Sequence, residues 1–195
     1  MTSEATRTRL AAGAKWSALI ILAAAALLFP VVFSSPVLTN YGVFALIFVT
    51  AASAWNVFSG FSGYISLGQA VFFGSGAYAV GIAARDWHVT GDAVFALLPL
   101  AAAVGAAIAV PFGLVALRVR RHTFIVVTIA VFFIFQLMAF NFSFTGGSSG
   151  LPAPFLAWPA ATYNDPFYYI ALACTVAIIV LALSLIHISE PTRPY

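Results

Sequence analysis

The sequence predicts an all-α, polytopic transmembrane helical bundle, and three observations carry that expectation. Of its 195 residues, 63% are hydrophobic and only 7% are charged. No Asp, Glu, Lys or Arg occurs between Lys15 and Arg85. Apolar runs of about the ~20 residues that a helix needs to cross hydrocarbon recur along the chain. A water-soluble domain carries roughly a quarter charged residues, so the composition points to a membrane protein.

Six candidate spans follow, over residues 16–33, 41–58, 65–84, 93–117, 123–140 and 167–183. Pro30, Ser34, Ser35 and Pro36 end the first, because proline lacks the N–H that a continuing helix needs. Gly60 and Gly63 end the second, and Pro152, Pro154, Pro159 and Pro166 keep the last long connection irregular. The third span is equally compatible with a broken or re-entrant path, since it is rich in glycine. A basic stretch before an apolar run also fits a signal peptide, but the run is long and no small-x-small cleavage site follows it. A retained first helix is therefore expected, after a cytoplasmic segment 1–15.

Charge placement gives the orientation. The net charge of +3 is no nucleic-acid signature, because the basic residues cluster at Arg7, Arg9 and Lys15 and again at Arg118, Arg120 and Arg121. With six spans, both clusters lie on the same side, which the positive-inside rule makes the cytoplasm. Arg85, Asp86 and Asp92 then lie outside, as does the connection 141–166 with its Gly-rich loop.

Residues 60–78 are the most informative stretch, with five glycines and six side chains able to hydrogen-bond in an uncharged apolar context. Polar groups in hydrocarbon must be satisfied by protein or by a wet cavity, and repeated glycine calls for close packing or irregular backbone. Ser66, Ala70 and Gly74 recur at helical spacing, giving an expected small-residue stripe with Gln69 beside it. Ser53, Asn56 and Gly60 share a face of the second span, and Thr128 and Gln136 are the main polar groups of the fifth. Gly63, Gly74 and Gly76 complete the set of pathway or helix-packing candidates. For Asn56, Ser66 and Gln69, lining a pathway and bonding another helix are equally open readings.

Enzyme-like patterns are weak. Gly74-Ser-Gly-Ala-Tyr-Ala79 fits a dinucleotide fingerprint, but no strand precedes it and no suitably spaced acid follows. Gly146-Gly-Ser-Ser-Gly150 fits the serine-nucleophile pattern G-x-S-x-G, and Gly147-Ser-Ser-Gly150 resembles the G-x-S-G of intramembrane rhomboid proteases. A serine nucleophile needs a base, and the only later histidine is His187. His88 and His122 sit at span ends, where mixed-polarity residues are common. One cysteine, Cys174, allows neither an internal disulfide nor a cysteine metal site. No metal or cofactor is expected, and no intramembrane charge suggests a proton relay.

Ser-Leu-Gly-Gln-Ala-Val-Phe-Phe-Gly-Ser-Gly-Ala-Tyr78, Leu117-Arg-Val-Arg120 and Thr145-Gly-Gly-Ser-Ser-Gly-Leu151 together resemble the LivM-type permease subunits of branched-chain amino acid ABC importers. The resemblance covers residues 41–154. It implies a permease domain over 16–184 in a bacterial inner membrane, a related permease as partner, two cytoplasmic ATPase subunits and a periplasmic substrate-binding protein. It also implies an outer docking loop around Thr145, Gly146, Gly147 and Gly150. Residues 122–136 depart from the family by being more aromatic and by lacking an acidic residue near Gln136, so the substrate stays open between branched-chain amino acids and small amides such as urea. A non-transport membrane scaffold is the alternative function. Residues 185–195 break the apolar pattern and look like translated adapter sequence, so the natural chain is expected to continue past Ser184.

Overall fold

The computed structural model describes residues 17, 18, 20–116, 118–153 and 156–189. The expected cytoplasmic segment 1–15, with Arg7, Arg9 and Lys15, lies outside the described residues, as do Leu117, Pro154 and positions 190–195. The described elements are helices α1 (Ile20–Val32), α2 (Pro36–Ser62), α3 (Gln69–Asp86), α4 (Leu98–Ala116), α5 (Arg121–Asn141) and α6 (Asp165–Ser189). Short 3₁₀ turns at Gly91–Leu97, Ser143–Thr145 and Gly147–Ser149 complete them, and there is no strand among the described residues. The chain is all-α and multi-pass.

Among the described residues, four stretches are long and apolar enough to cross a membrane: Pro36–Ser62, Gly91–Ala116, His122–Asn141 and Asp165–His187. Most of their surface is uncovered within the chain, including Phe48, Val110, Val126 and Leu137. Such faces suit lipid or other apolar helices. Pro36 starts α2, where its missing N–H has no helical partner anyway, whereas Pro30, expected to end the first span, and Pro111 lie inside α1 and α4. Pro166 likewise falls in the first turn of α6, not in the irregular connection where the sequence suggested it.

The chain divides into two compact units, with α2 contributing to both. In the first, formed by the described parts of Met1–Ala54 and Trp158–Tyr195, α1, α2 and α6 are tied by polar groups that hydrocarbon cannot solvate. The Tyr168 hydroxyl donates to the Ala26 carbonyl at 2.9 Å, and Asn164 Nδ2 donates to the Pro36 carbonyl at 2.8 Å. Thr50 and Thr175 hydroxyls meet at 2.8 Å between α2 and α6. Gly42 permits close approach there, since a Cβ would lie 3.0 Å from the Tyr168 ring.

The second unit, Trp55–Ala157, holds α3, α4 and α5. Helices α3 and α4 pack through small residues: a Cβ on Gly76 would lie 3.1 Å from the Ala101 carbonyl oxygen. A cluster of Ala83, Ala84 and Leu97, with Val80, Val89 and Leu100 around it, buries the far end of α3. That end closes by a left-handed turn at His88 (φ 53°), with the Val89 N–H bonded to the Ala84 carbonyl at 2.9 Å and the His88 N–H to Arg85 at 3.4 Å. This is the Schellman pattern, here on a histidine where glycine is usual.

The third expected span is corrected in one respect. Residues 65–68 are not helical, and α3 begins at Gln69 and runs to Asp86. Its 18 residues give about 27 Å at the helical rise, just short of the ~30 Å hydrocarbon core. Ser66 therefore stands before the helix, and the Ser66, Ala70, Gly74 stripe does not exist as one helical row.

Candidate functional site

The break before α3 is built from backbone. Gly63 takes a positive φ of 67°, which suits glycine, and its N–H still bonds the Ser59 carbonyl at 2.9 Å. The chain then turns out of α2, with the Tyr64 N–H donating to Ser62 Oγ at 3.1 Å. Three side chains satisfy the groups that leave the helix. Trp55 Nε1 donates to the Ser66 carbonyl at 2.8 Å. The Leu67 N–H donates to Thr128 Oγ1 at 3.2 Å, and the Gly68 N–H donates to Ser66 Oγ at 3.4 Å.

Thr128 anchors the break to α5. It is fully buried, and its hydroxyl donates to the Ile125 carbonyl at 2.9 Å while accepting from Leu67. One O–H thus serves as donor and acceptor at once. A Cβ on Gly68 would lie 3.1 Å from the Thr128 carbonyl oxygen, so the backbone approach depends on that glycine. Phe124, one turn earlier on α5, packs against Phe58 and Tyr64 at ring separations of 6.2 and 5.0 Å. Thr128 lies seven residues into α5, about 10 Å along its axis. Irregular backbone is tolerated at such depth only where protein or a wet cavity covers it.

Gln69 opens α3 immediately after the break and is half-buried. No side chain caps that helix start, since Gly68 has none to offer. Ser66 is 4% exposed and is absorbed into the loop's own hydrogen bonds. Asn56 and Gln136 are exposed on α2 and α5, and Asn56 Oδ1 lies 3.8 Å from where a Gly60 Cβ would stand. Gly74, expected at a close helix contact, has nothing within 4 Å of the point a Cβ would occupy, and Gly76 makes the close approach instead. A groove between α3 and α4, lined by Phe72, Phe73, Gly76, Val80, Leu98 and Ala101, is apolar and contains none of Asn56, Ser66, Gln69 or Gln136.

At the other end of the unit lies the Gly-rich loop. Thr145 is buried, with its hydroxyl 2.7 Å from the Ala139 carbonyl and 2.6 Å from that of Phe142, so it covers open carbonyls at the end of α5. Gly146, Gly147 and Gly150 have φ values of 82°, 56° and 71°. A Cβ on Gly146 would collide with the Gly150 carbonyl, and Gly150 (ψ −177°) occupies a region open essentially to glycine alone. Arg85 Nη1 donates to the Phe144 carbonyl at 3.0 Å, which brings the loop to the end of α3. Arg118 and Arg120 lie in the α4–α5 connection, at the opposite end of α5, where both are exposed.

Trp55 and Ser59 were not legible as site residues from sequence. A tryptophan within an apolar span is a signal in itself, because its N–H needs an acceptor. Ser59 Oγ is buried without a hydrogen-bond partner, on the last turns of α2. Among the described residues no cluster of His, Cys, Asp and Glu could hold a metal. The Gly146–Ser148–Gly150 pattern forms short 3₁₀ turns rather than the strand-to-helix elbow of a serine nucleophile.

Comparison with curated proteins and with solved structures gives no match. Residues 37–192 match a family described as the permease component of the branched-chain amino acid transport system. The match takes in the break before α3, the Gly-rich loop and all of α6, which runs unbroken through Leu185 to Ser189. With multi-pass apolar helices and a match over most of its length, the chain belongs to the permease-component family of branched-chain amino acid transport systems.

Proposed function

We propose that this chain is the membrane-spanning permease subunit of an ATP-binding-cassette importer and forms part of the pathway for branched-chain amino acids or related small amides. The observation that carries the reading is the break at residues 63–68, held to α5 by Thr128, which sets the Gln69 amide at the start of α3. That amide has a donor and an acceptor for a zwitterion or an amide. Its partners are a related permease, two cytoplasmic ATPase subunits and a periplasmic binding protein that docks at the loop around Thr145 to Gly150. ATP hydrolysis belongs to those ATPases, and this chain does no chemistry on the solute. Alternating access arises when ATP binding in the partners shifts the helices between two packed arrangements. The setting is a bacterial inner membrane with the amino terminus in the cytoplasm.

The test is uptake of labelled leucine, with urea as competitor, by the assembled transporter carrying Gln69→Leu. Uptake should fall roughly fivefold to tenfold, the worth of one solute hydrogen bond, with the complex assembled. A scaffold role predicts lost assembly instead, because the partner of a buried amide would be left unpaired. Normal assembly with normal uptake removes Gln69 from the pathway.

A further inference from the structure

We propose that Arg85 is the positioning residue of the Gly-rich loop, tying residues 143–150 to the end of α3 so that the loop and that helix move as one body. The loop is already bound to its own helix: Thr145 covers the Ala139 and Phe142 carbonyls, and the Gly147 N–H bonds Phe142 at 3.1 Å. Those bonds hold it to α5 and say nothing to α3. The contacts to α3 are of two kinds. Leu151 reaches within 3.3 Å of where a Gly81 Cβ would stand, and Arg85 Nη1 donates to the Phe144 carbonyl at 3.0 Å.

Asp86 explains why the arginine is aimed there. Arg85 Nε donates to Asp86 Oδ1 at 2.7 Å, leaving the other edge of the planar fork for Phe144. Neighbours in sequence do not face each other across a helix, so this pair does not support α3 in the way an i,i+4 pair does. An aspartate in the last turn also meets the negative end of the helix dipole. Its place is accounted for by the guanidinium it orients. The backbone beneath both residues is fixed by the Schellman turn at His88 and by the buried Ala83, Ala84 and Leu97.

Helix α3 is continuous from this tie to Gln69, where the break begins. A load placed on the loop is therefore carried along α3 to residues 63–68. That last step rests on the permease reading, whereas the tie itself does not.

The experiment places spin labels on Ala70→Cys and Ser148→Cys, both exposed positions, in a Cys174→Ala background of the full chain in lipid nanodiscs. The distance between them reports the loop against the start of α3. The original arginine should give one narrow distribution. Arg85→Ala should raise the detached population roughly fivefold, the value of one net hydrogen bond, and Arg85→Lys, which can still reach a carbonyl, should restore most of the narrow form. Equal, narrow distributions in all three overturn the proposal. So does equal broadening in Arg85→Ala and Arg85→Lys, because a donor to Phe144 would then not be what holds the loop. If Arg85→Ala frees the loop but leaves leucine uptake by the assembled transporter unchanged, the transmission along α3 is overturned and the tie stands. Absence of uptake by the unmodified transporter counts against the permease reading alone.

Discussion

One hydroxyl ties the break before α3 to α5. Thr128 Oγ1 accepts from Leu67, 61 residues away in sequence, while donating along its own helix. Thr128→Val keeps the shape but leaves a backbone N–H without its acceptor, a loss of about 1–3 kcal/mol. Thr128→Ser keeps the hydroxyl and should stay close to the original. Thermal unfolding in detergent separates them: the valine variant should melt several degrees lower, and equal melting of all three would show that the break is held by other contacts. The sequence made Thr128 visible as a polar residue embedded in the fifth span. Its partner was not visible, because a backbone N–H becomes available only where the helix fails to form. The Gly-rich loop was more legible. Its character as a loop follows from composition, whereas the positive φ of Gly146, Gly147 and Gly150 and the Arg85 contact to Phe144 need the fold.

Helix α3 starts later than its residue spacing suggests. Helical spacing joined Ser66, Ala70 and Gly74 into a stripe on the assumption that helix already existed at residue 65. The structure starts it at Gln69, since Trp55 and Thr128 hold the preceding backbone in another conformation. Small residues do still bring helices together, but at Gly76 against Ala101. Gly76→Leu should overpack that contact at a cost of about 1–3 kcal/mol. Gly74→Leu should leave the stability of the isolated chain unchanged, because nothing lies within 4 Å of the new side chain's first atom. Melting of the two variants in detergent checks the pair. A larger loss at Gly74 than at Gly76 would restore the stripe and contradict the observed packing. Proline marked the gap before α2 but not its start: the second span was expected from residue 41, and α2 begins at Pro36 itself, as α6 takes in Pro166.

For the molecule as a whole, class was the easiest property to read and connectivity to partners the hardest. A chain with 63% hydrophobic residues and no charge from residue 16 to 84 has few solutions besides membrane helices, and those helices formed. What their uncovered apolar faces meet depends on lipid and on other chains, which no pattern within this sequence encodes. The proposed orientation rests on the arginines between α4 and α5. In the second unit Arg85 and the Gly-rich loop share one end, while Arg118 and Arg120 lie at the other end of α5. A pathway wall requires those ends to face opposite sides of the membrane. Intact cells carrying Ser148→Cys or Arg120→Cys, each with Cys174→Ala, can be exposed to a membrane-impermeant maleimide. The permease account predicts labelling at position 148 and protection at position 120 until the cells are opened. Labelling at 120 with protection at 148 would reverse the orientation and remove the docking loop from the outer face. Labelling of both in intact cells would mean that α5 does not cross.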